Sequence, residues 1–119
     1  MILHVAEGLE LVVWDNPQQS AVSLHGELDL CTAPAILPHL IEVAGQADAS
    51  LMVDLAETSF LDCRGLAALI AVRDALRSRD RRLELRGAGG SVRKILAMSE
   101  LADLLDGRRD QRVANRHPC

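Results

Sequence analysis

At 119 residues with a formal net charge of −4, the chain has the length of one ordinary domain. Its composition, 49% hydrophobic and 25% charged, lies far from the apolar-poor, highly charged range of disordered chains, so it should fold. Trp14 and Phe60 are the only aromatics; the core has to be built from Leu, Val, Ile and Ala, and base recognition on aromatic platforms is disfavoured.

The apolar runs are a handful of residues each, against the roughly 18 to 20 a membrane span needs, so no transmembrane helix is expected. Residues 1–7 contain no Lys or Arg and lead into no signal-like apolar stretch, which makes the cytoplasm the expected location. Cys31, Cys63 and Cys119 form an odd set without CxxC spacing, arguing against a disulfide framework and a zinc site. Residues 1–62 hold ten acids and no Lys or Arg, whereas 63–119 hold seven acids and all thirteen bases, giving halves of −10 and +6. Such a split either makes a dipolar surface that steers partners or is neutralised within the fold.

The elements follow in chain order. Residues 9–14 and 21–24 are β-rich runs separated by Asp15-Asn16-Pro17-Gln18, the pattern of an antiparallel hairpin. Thr32 is a candidate N-cap for a helix with Pro34 in its first turn, an apolar set of Ile36, Leu37, Leu40, Ile41 and Ala44, and Gly45 placed to end it. Residues 50–55 are nearly continuously apolar, as befits the middle strand of a sheet. Leu66, Leu69, Ile70, Arg73 and Leu76 trace one helical stripe to about Ser78, and Leu83 and Leu85 then alternate with charged residues as a half-buried strand. Ser91 is an N-cap candidate for a short helix carrying Val92, Ile95, Leu96 and Met98, with a last helical turn over 100–105. Residues 1–107 are therefore read as one domain, and 108–119, whose one large aliphatic is Val113, as a disordered basic tail. The fold class is α/β: a small mixed sheet of four to five strands, with an N-terminal antiparallel hairpin and three to four helices packed against it.

Catalytic constellations are scarce. His4, His25, His39 and His117 show no metal-ligand spacing, and Gly87-Ala88-Gly89-Gly90 matches neither a P-loop nor GxGxxG. Neither a cofactor nor a metal is expected. The basic clusters Arg77, Arg79, Arg81, Arg82 and Arg108, Arg109, Arg112, Arg116 could meet phosphates, but without interleaved aromatics they read as solvated faces rather than as nucleic-acid contacts.

Two segments join tight-turn chemistry to polar groups at strand ends, where sites collect in open α/β sheets. They are His25-Gly26-Glu27-Leu28-Asp29-Leu30-Cys31-Thr32-Ala33-Pro34, and Val53-Asp54-Leu55 followed by Phe60-Leu61-Asp62-Cys63-Arg64-Gly65-Leu66. In order and separation they resemble the signature of the STAS family, the domain of anti-sigma factor antagonists. Ser91-Val92-Arg93-Lys94-Ile95-Leu96 is similar to that family's later helix, so the likeness spans residues 8–106. The resemblance implies a non-enzymatic switch that binds an anti-sigma factor of the GHKL ATPase and serine-kinase type and frees a sigma factor. It also implies a partner surface at Glu27, Asp29, Asp62, Cys63, Arg64 and Gly65, with a phospho-acceptor serine directly after the turn's Asp. Here that position is Cys63, and the next, usually Ser or Thr, is Arg64.

Cys63 lies at a predicted helix start, where free N–H groups, the dipole and Arg64 favour a thiolate while Asp62 opposes it. Two readings stand: a redox-sensing thiol, able to pair with Cys31 at the same end of the sheet, or an inert small residue that leaves the antagonist permanently active. Asp62 as an N-cap and Asp29 as a turn-former would serve structure as well as binding. Asp54 reads as structural. The alternative class is a small-molecule or nucleotide sensor module of the same fold, with a pocket near Asp29, Asp62 and Gly65; thiol redox enzymology ranks last, for want of a CxxC resolving partner.

Overall fold

A computed structural model describes residues 1–14 and 20–106. The elements are β1 (Ile2–Ala6), β2 (Leu9–Trp14), β3 (Ser20–Leu28), α1 (Ala33–Gln46), β4 (Ser50–Asp54), β5 (Thr58–Leu61), α2 (Cys63–Arg77), β6 (Arg82–Arg86) and α3 (Gly90–Ala97), then a 3-10 turn at Ala102–Leu104. They form one six-stranded mixed sheet in the order β1-β2-β3-β4-β6, with β5 attached to β3. β1 to β3 run antiparallel, whereas β4, β5 and β6 join in parallel. β1 to β3 alternate in direction, β4 and β6 are each reached through a helix and run parallel to their neighbours, and β5 follows β4 after three residues in the same direction.

The sheet has six strands where four to five were expected, and β1 and β5 are the ones no sequence run announced. β1 is joined to β2 by a turn in which Gly8 adopts φ +90°, a conformation that favours glycine. β5 is only four residues long and pairs on one side, with the far end of β3. That leaves β3, nine residues long, to hold β4 along its first half and β5 along its last. The middle of the sheet is therefore β3, and the strand at 50–54 lies between β3 and β6.

Register puts Leu9, Leu11, Val22, Leu24, Leu51, Val53, Leu83 and Leu85 on one face. All are buried in a cluster that also takes Ile36, Leu40 and Ala44 from α1 and Ala68, Leu69, Val72 and Leu76 from α2. Among the described residues the cluster consists of Leu, Val, Ile and Ala, as the near absence of aromatics requires. Leu69 is wholly buried and Leu66 packs at the core's edge.

Several caps differ from expectation. Thr32 sits at the N-cap of α1, but its side chain makes no cap hydrogen bond and serves the preceding turn instead. The helix ends at Gln46, one residue beyond Gly45, with Ala47 as C-cap. Gly89, not Ser91, caps α3; Ser91 lies inside the helix and Met98 is exposed rather than packed. The Asp15–Gln18 turn, the tail at 108–119 and the second arginine cluster lie outside the described residues.

Candidate functional site

The candidate site is a junction of two turns at the carboxyl ends of β3 and β5. The first begins where β3 stops. Asp29 Oδ1 accepts the Cys31 N–H at 2.9 Å and the Thr32 N–H at 3.0 Å, curling the chain into an Asx-type turn. Thr32, buried, closes it from the other side: its Oγ1 accepts the Asp29 N–H at 2.9 Å and donates to the Glu27 carbonyl at 2.7 Å. Leu30, at the tip, is left 59% exposed.

The second turn enters α2. Asp62 Oδ1 accepts the N–H groups of Arg64 (2.9 Å) and Gly65 (3.0 Å), satisfying two of the four donors that a helix start leaves over. Its other oxygen, Oδ2, accepts the Leu30 N–H at 2.9 Å. One carboxylate thus caps a helix and ties that helix to a turn 32 residues earlier. The backbone repeats the connection, with Asp62 N–H donating to the Leu28 carbonyl at 3.3 Å. The Gly65 hydrogen bond, with those from Leu30 and Arg64 and the Arg64 charge, outweighs desolvation and holds the Asp62 carboxyl below its ordinary range.

Gly65 is there because nothing larger fits. A Cβ at this position would stand 2.2 Å from the Leu28 carbonyl oxygen and 2.7 Å from Leu61 Cδ1. The first turn of α2 rests directly on the end of β3, which brings Asp62 within reach of Leu30.

The junction gathers most of the residues singled out from sequence. Asp29, Cys31, Asp62, Cys63, Arg64 and Gly65 lie on the two linked turns, with Cys31, Cys63 and Arg64 exposed and both thiols free. Glu27, one step back on β3, is exposed, and its backbone N–H donates to the Gly8 carbonyl at 2.9 Å. Beside Cys63, the N–H groups of Arg64 and Gly65 at the helix start are both taken by Asp62 Oδ1. Asp54 behaves as a structural residue, its Oδ1 accepting the Ala56 N–H at 2.8 Å where the chain leaves β4.

Sequence reasoning did not find the groove beside these turns. Ala33, Pro34 and Leu37 of α1 and Arg64, Ala67 and Ala68 of α2 enclose about 280 Å³ of largely apolar space. Small residues on the facing sides of both helices were the available signal. The groove is apolar apart from Arg64, and exposed Leu30 lies on the turn that leads into α1, an arrangement suited to a protein partner. Among the described residues, no group of three or more His, Cys, Asp or Glu is placed to hold a metal ion. His4 pairs with Glu10, His25 shares a hydrogen bond with Ser23, and His39 is exposed.

A protein-family model described as the Mlab, STAS domain matches residues 13–106. The chain belongs to the STAS domain family. Among curated STAS relatives, the anti-sigma-B factor antagonist of Staphylococcus epidermidis is 27% identical over 84 residues, which covers 71% of this chain and 78% of the relative. Among solved structures, an anti-sigma factor antagonist from Mycobacterium paratuberculosis superposes with a TM-score of 0.74 at 26% identity, covering 87% of this chain and 88% of that one. Unphosphorylated SpoIIAA, an anti-sigma factor antagonist, superposes at 0.70 over 88% of this chain and 96% of its own, with 19% identity, and so shares the STAS fold. No helix among the described residues is long and apolar enough to cross a membrane.

Proposed function

We propose that this STAS domain is a cytoplasmic anti-sigma factor antagonist: a binding protein without catalytic activity that takes up an anti-sigma factor of the GHKL ATPase type and so frees a sigma factor. The observation that carries the reading is the Asp62 bridge. It locks two turns into one surface and holds Leu30, Cys63 and Arg64 outward beside the apolar groove. The relatives named as anti-sigma factor antagonists supply the partner class.

In this reading Cys63 stands where the family carries its phospho-acceptor serine. A thiol is no ordinary serine-kinase substrate, so complex formation is not reversed by phosphoryl transfer at this position. The competing regulation is oxidation, favoured by one observation: exposed Cys31 lies in the turn that Asp62 ties to Cys63.

The test mixes the full chain with the GHKL-type anti-sigma factor of its own organism. A complex should form in reducing buffer and survive ATP, whereas the Cys63→Ser chain should accept phosphate and dissociate. Failure to form any complex would overturn the proposal. Dissociation of the parent by peroxide, reversed by dithiothreitol and absent in Cys31→Ser, would assign control to the thiols; persistence would assign a permanently active antagonist.

A further inference from the structure

At the opposite end of the molecule, the C-terminus of α2 turns into β6. The turn is tightly made: the N–H groups of Arg79 and Arg81 both donate to the Leu76 carbonyl at 2.9 Å, Asp80 takes φ +59°, and Arg82 N–H reaches the Ala49 carbonyl at 3.2 Å. This fixed backbone places Arg77, Arg81 and Arg82 around a pocket of about 380 Å³, completed by Arg73, Asp80, Leu83 and Leu104. The run that reads in sequence as a solvated basic face is therefore concave, with two leucines contributing to its wall.

The arginines differ in what they are already doing. Arg73, 13% exposed at its side chain, is occupied by Asp74 at 2.8 Å and Glu100 at 2.9 Å, and so acts as wall. Arg79 turns away to the Gly45 carbonyl at 2.5 Å, Arg86 pairs with Glu84 and Arg93 with Asp106. Among the described residues, Arg77, Arg81 and Arg82 have no ion pair. Asp80 lines the pocket, Asp74 and Glu100 meet Arg73 at its wall, Glu84 stands two residues along β6 from Arg82 and pairs with Arg86, and Asp103, beside Leu104, is itself engaged. The negative end of α2 offsets only about half a charge. With Asp80 as the one acid in the lining, Arg77, Arg81 and Arg82 leave the pocket a net positive charge, and the planar fork of a guanidinium matches phosphate oxygens in two-point geometry.

We propose that this pocket binds a small multivalent anion carrying two or more phosphate groups. Its volume falls in the range of small-molecule sites, roughly 300 to 1,000 Å³. A concave site without an aromatic residue favours a compact anion over single-stranded nucleic acid, which relies on stacking. Because β3, β4 and β6 run parallel, the pocket at the start of β6 lies at the far end of the sheet from Asp62. Anion and protein partner can be held together, and the site does not depend on the partner reading.

The experiment titrates the full chain with tripolyphosphate at constant ionic strength, by calorimetry and by backbone amide shifts. Saturable one-site binding is expected, with shifts across residues 77–83 and none at 62–65. Arg77→Gln and Arg81→Gln should each weaken binding about tenfold, the loss of a charged hydrogen-bond pair. Arg86→Gln, at the other end of β6, should leave it unchanged. Absence of saturable binding at millimolar tripolyphosphate would overturn the proposal, as would shifts centred elsewhere on the parent chain. Equal losses in Arg81→Gln and Arg86→Gln would do the same by revealing diffuse attraction. Tighter binding of a short single-stranded RNA at these residues would replace the small anion with a nucleic acid.

Discussion

The junction that builds the site depends on a glycine, and Gly65→Ala tests that dependence. The new Cβ would stand 2.2 Å from the Leu28 carbonyl oxygen and 2.9 Å from its carbon, both backbone atoms. An ordinary carbon–oxygen contact is about 3.3 Å, so the first turn of α2 has to retreat by about 1 Å. Overpacking of this kind costs about 1–3 kcal/mol. The retreat also stretches the 3.3 Å hydrogen bond from Asp62 N–H to Leu28 beyond bonding distance, costing about 1 kcal/mol more. Alanine's better helix propensity returns less than about 1 kcal/mol in a first turn. The net expectation is a loss of about 2–3 kcal/mol, or roughly 8–15 °C in melting temperature for a domain of this size. Urea unfolding followed by circular dichroism measures it, with Gly45→Ala alongside. At Gly45 the nearest atom to an added Cβ is Arg79 Nη1 at 3.5 Å, so that helical variant should be more stable than the parent, by up to about 1 kcal/mol. A Gly65→Ala chain that unfolds at the parent's midpoint would refute the close approach on which the site rests.

Thr32→Val removes a buried hydroxyl that accepts from Asp29 and donates to Glu27, and should cost about 1–3 kcal/mol while accelerating amide exchange at Asp29; an unchanged denaturation midpoint would contradict it. Asp62 titrates below its ordinary value in the folded chain. Its ionised form therefore contributes stability that is fully present above the unfolded value near pH 4 and is lost as pH falls through the folded one. The stability gap between parent and Asp62→Asn should accordingly narrow on acidification below about pH 4, and a gap independent of pH would argue against the carboxylate bridge. Leu24→Ala, at a fully buried position of β3, should cost about 2–5 kcal/mol by cavity formation, read from the same unfolding curves.

Much of the fold was legible because long periodic elements announce themselves. The aliphatic spacing in α1 and α2, the alternation in β6 and the hairpin partners β2 and β3 all correspond to observed elements. β1 and β5 escaped for opposite reasons. β1 is an edge strand whose few apolar residues show no partner in sequence, and β5 hides in Thr58-Ser59-Phe60-Leu61, with only its two end residues buried. The two hydroxyls depart from expectation for different reasons: Thr32 holds the N-cap position but donates its hydroxyl to the Glu27 carbonyl, whereas the start of α3 moves back to Gly89 and leaves Ser91 within the helix.

At the site, Asp62 was recognisable as a cap because an acid directly before an amphipathic run signals a helix start. Its second bond, to Leu30, spans a separation no local pattern encodes. The same holds for Gly65, whose small size is set by Leu28 across the fold. The basal arginines were visible as charge, but their concavity came from the turn through Asp80 and from Leu104, distant in the chain.

The proposed engagement of an anti-sigma factor by the Leu30 and Arg64 surface is tested by release of sigma factor from a preformed sigma–anti-sigma complex on addition of the full chain. Leu30 is 59% exposed, so Leu30→Asp changes the surface without disturbing the core. Stoichiometric release by the parent and none by a folded Leu30→Asp chain is the predicted result. Absence of release by the parent, or equal release by both chains, would mean that this surface does not engage the anti-sigma factor.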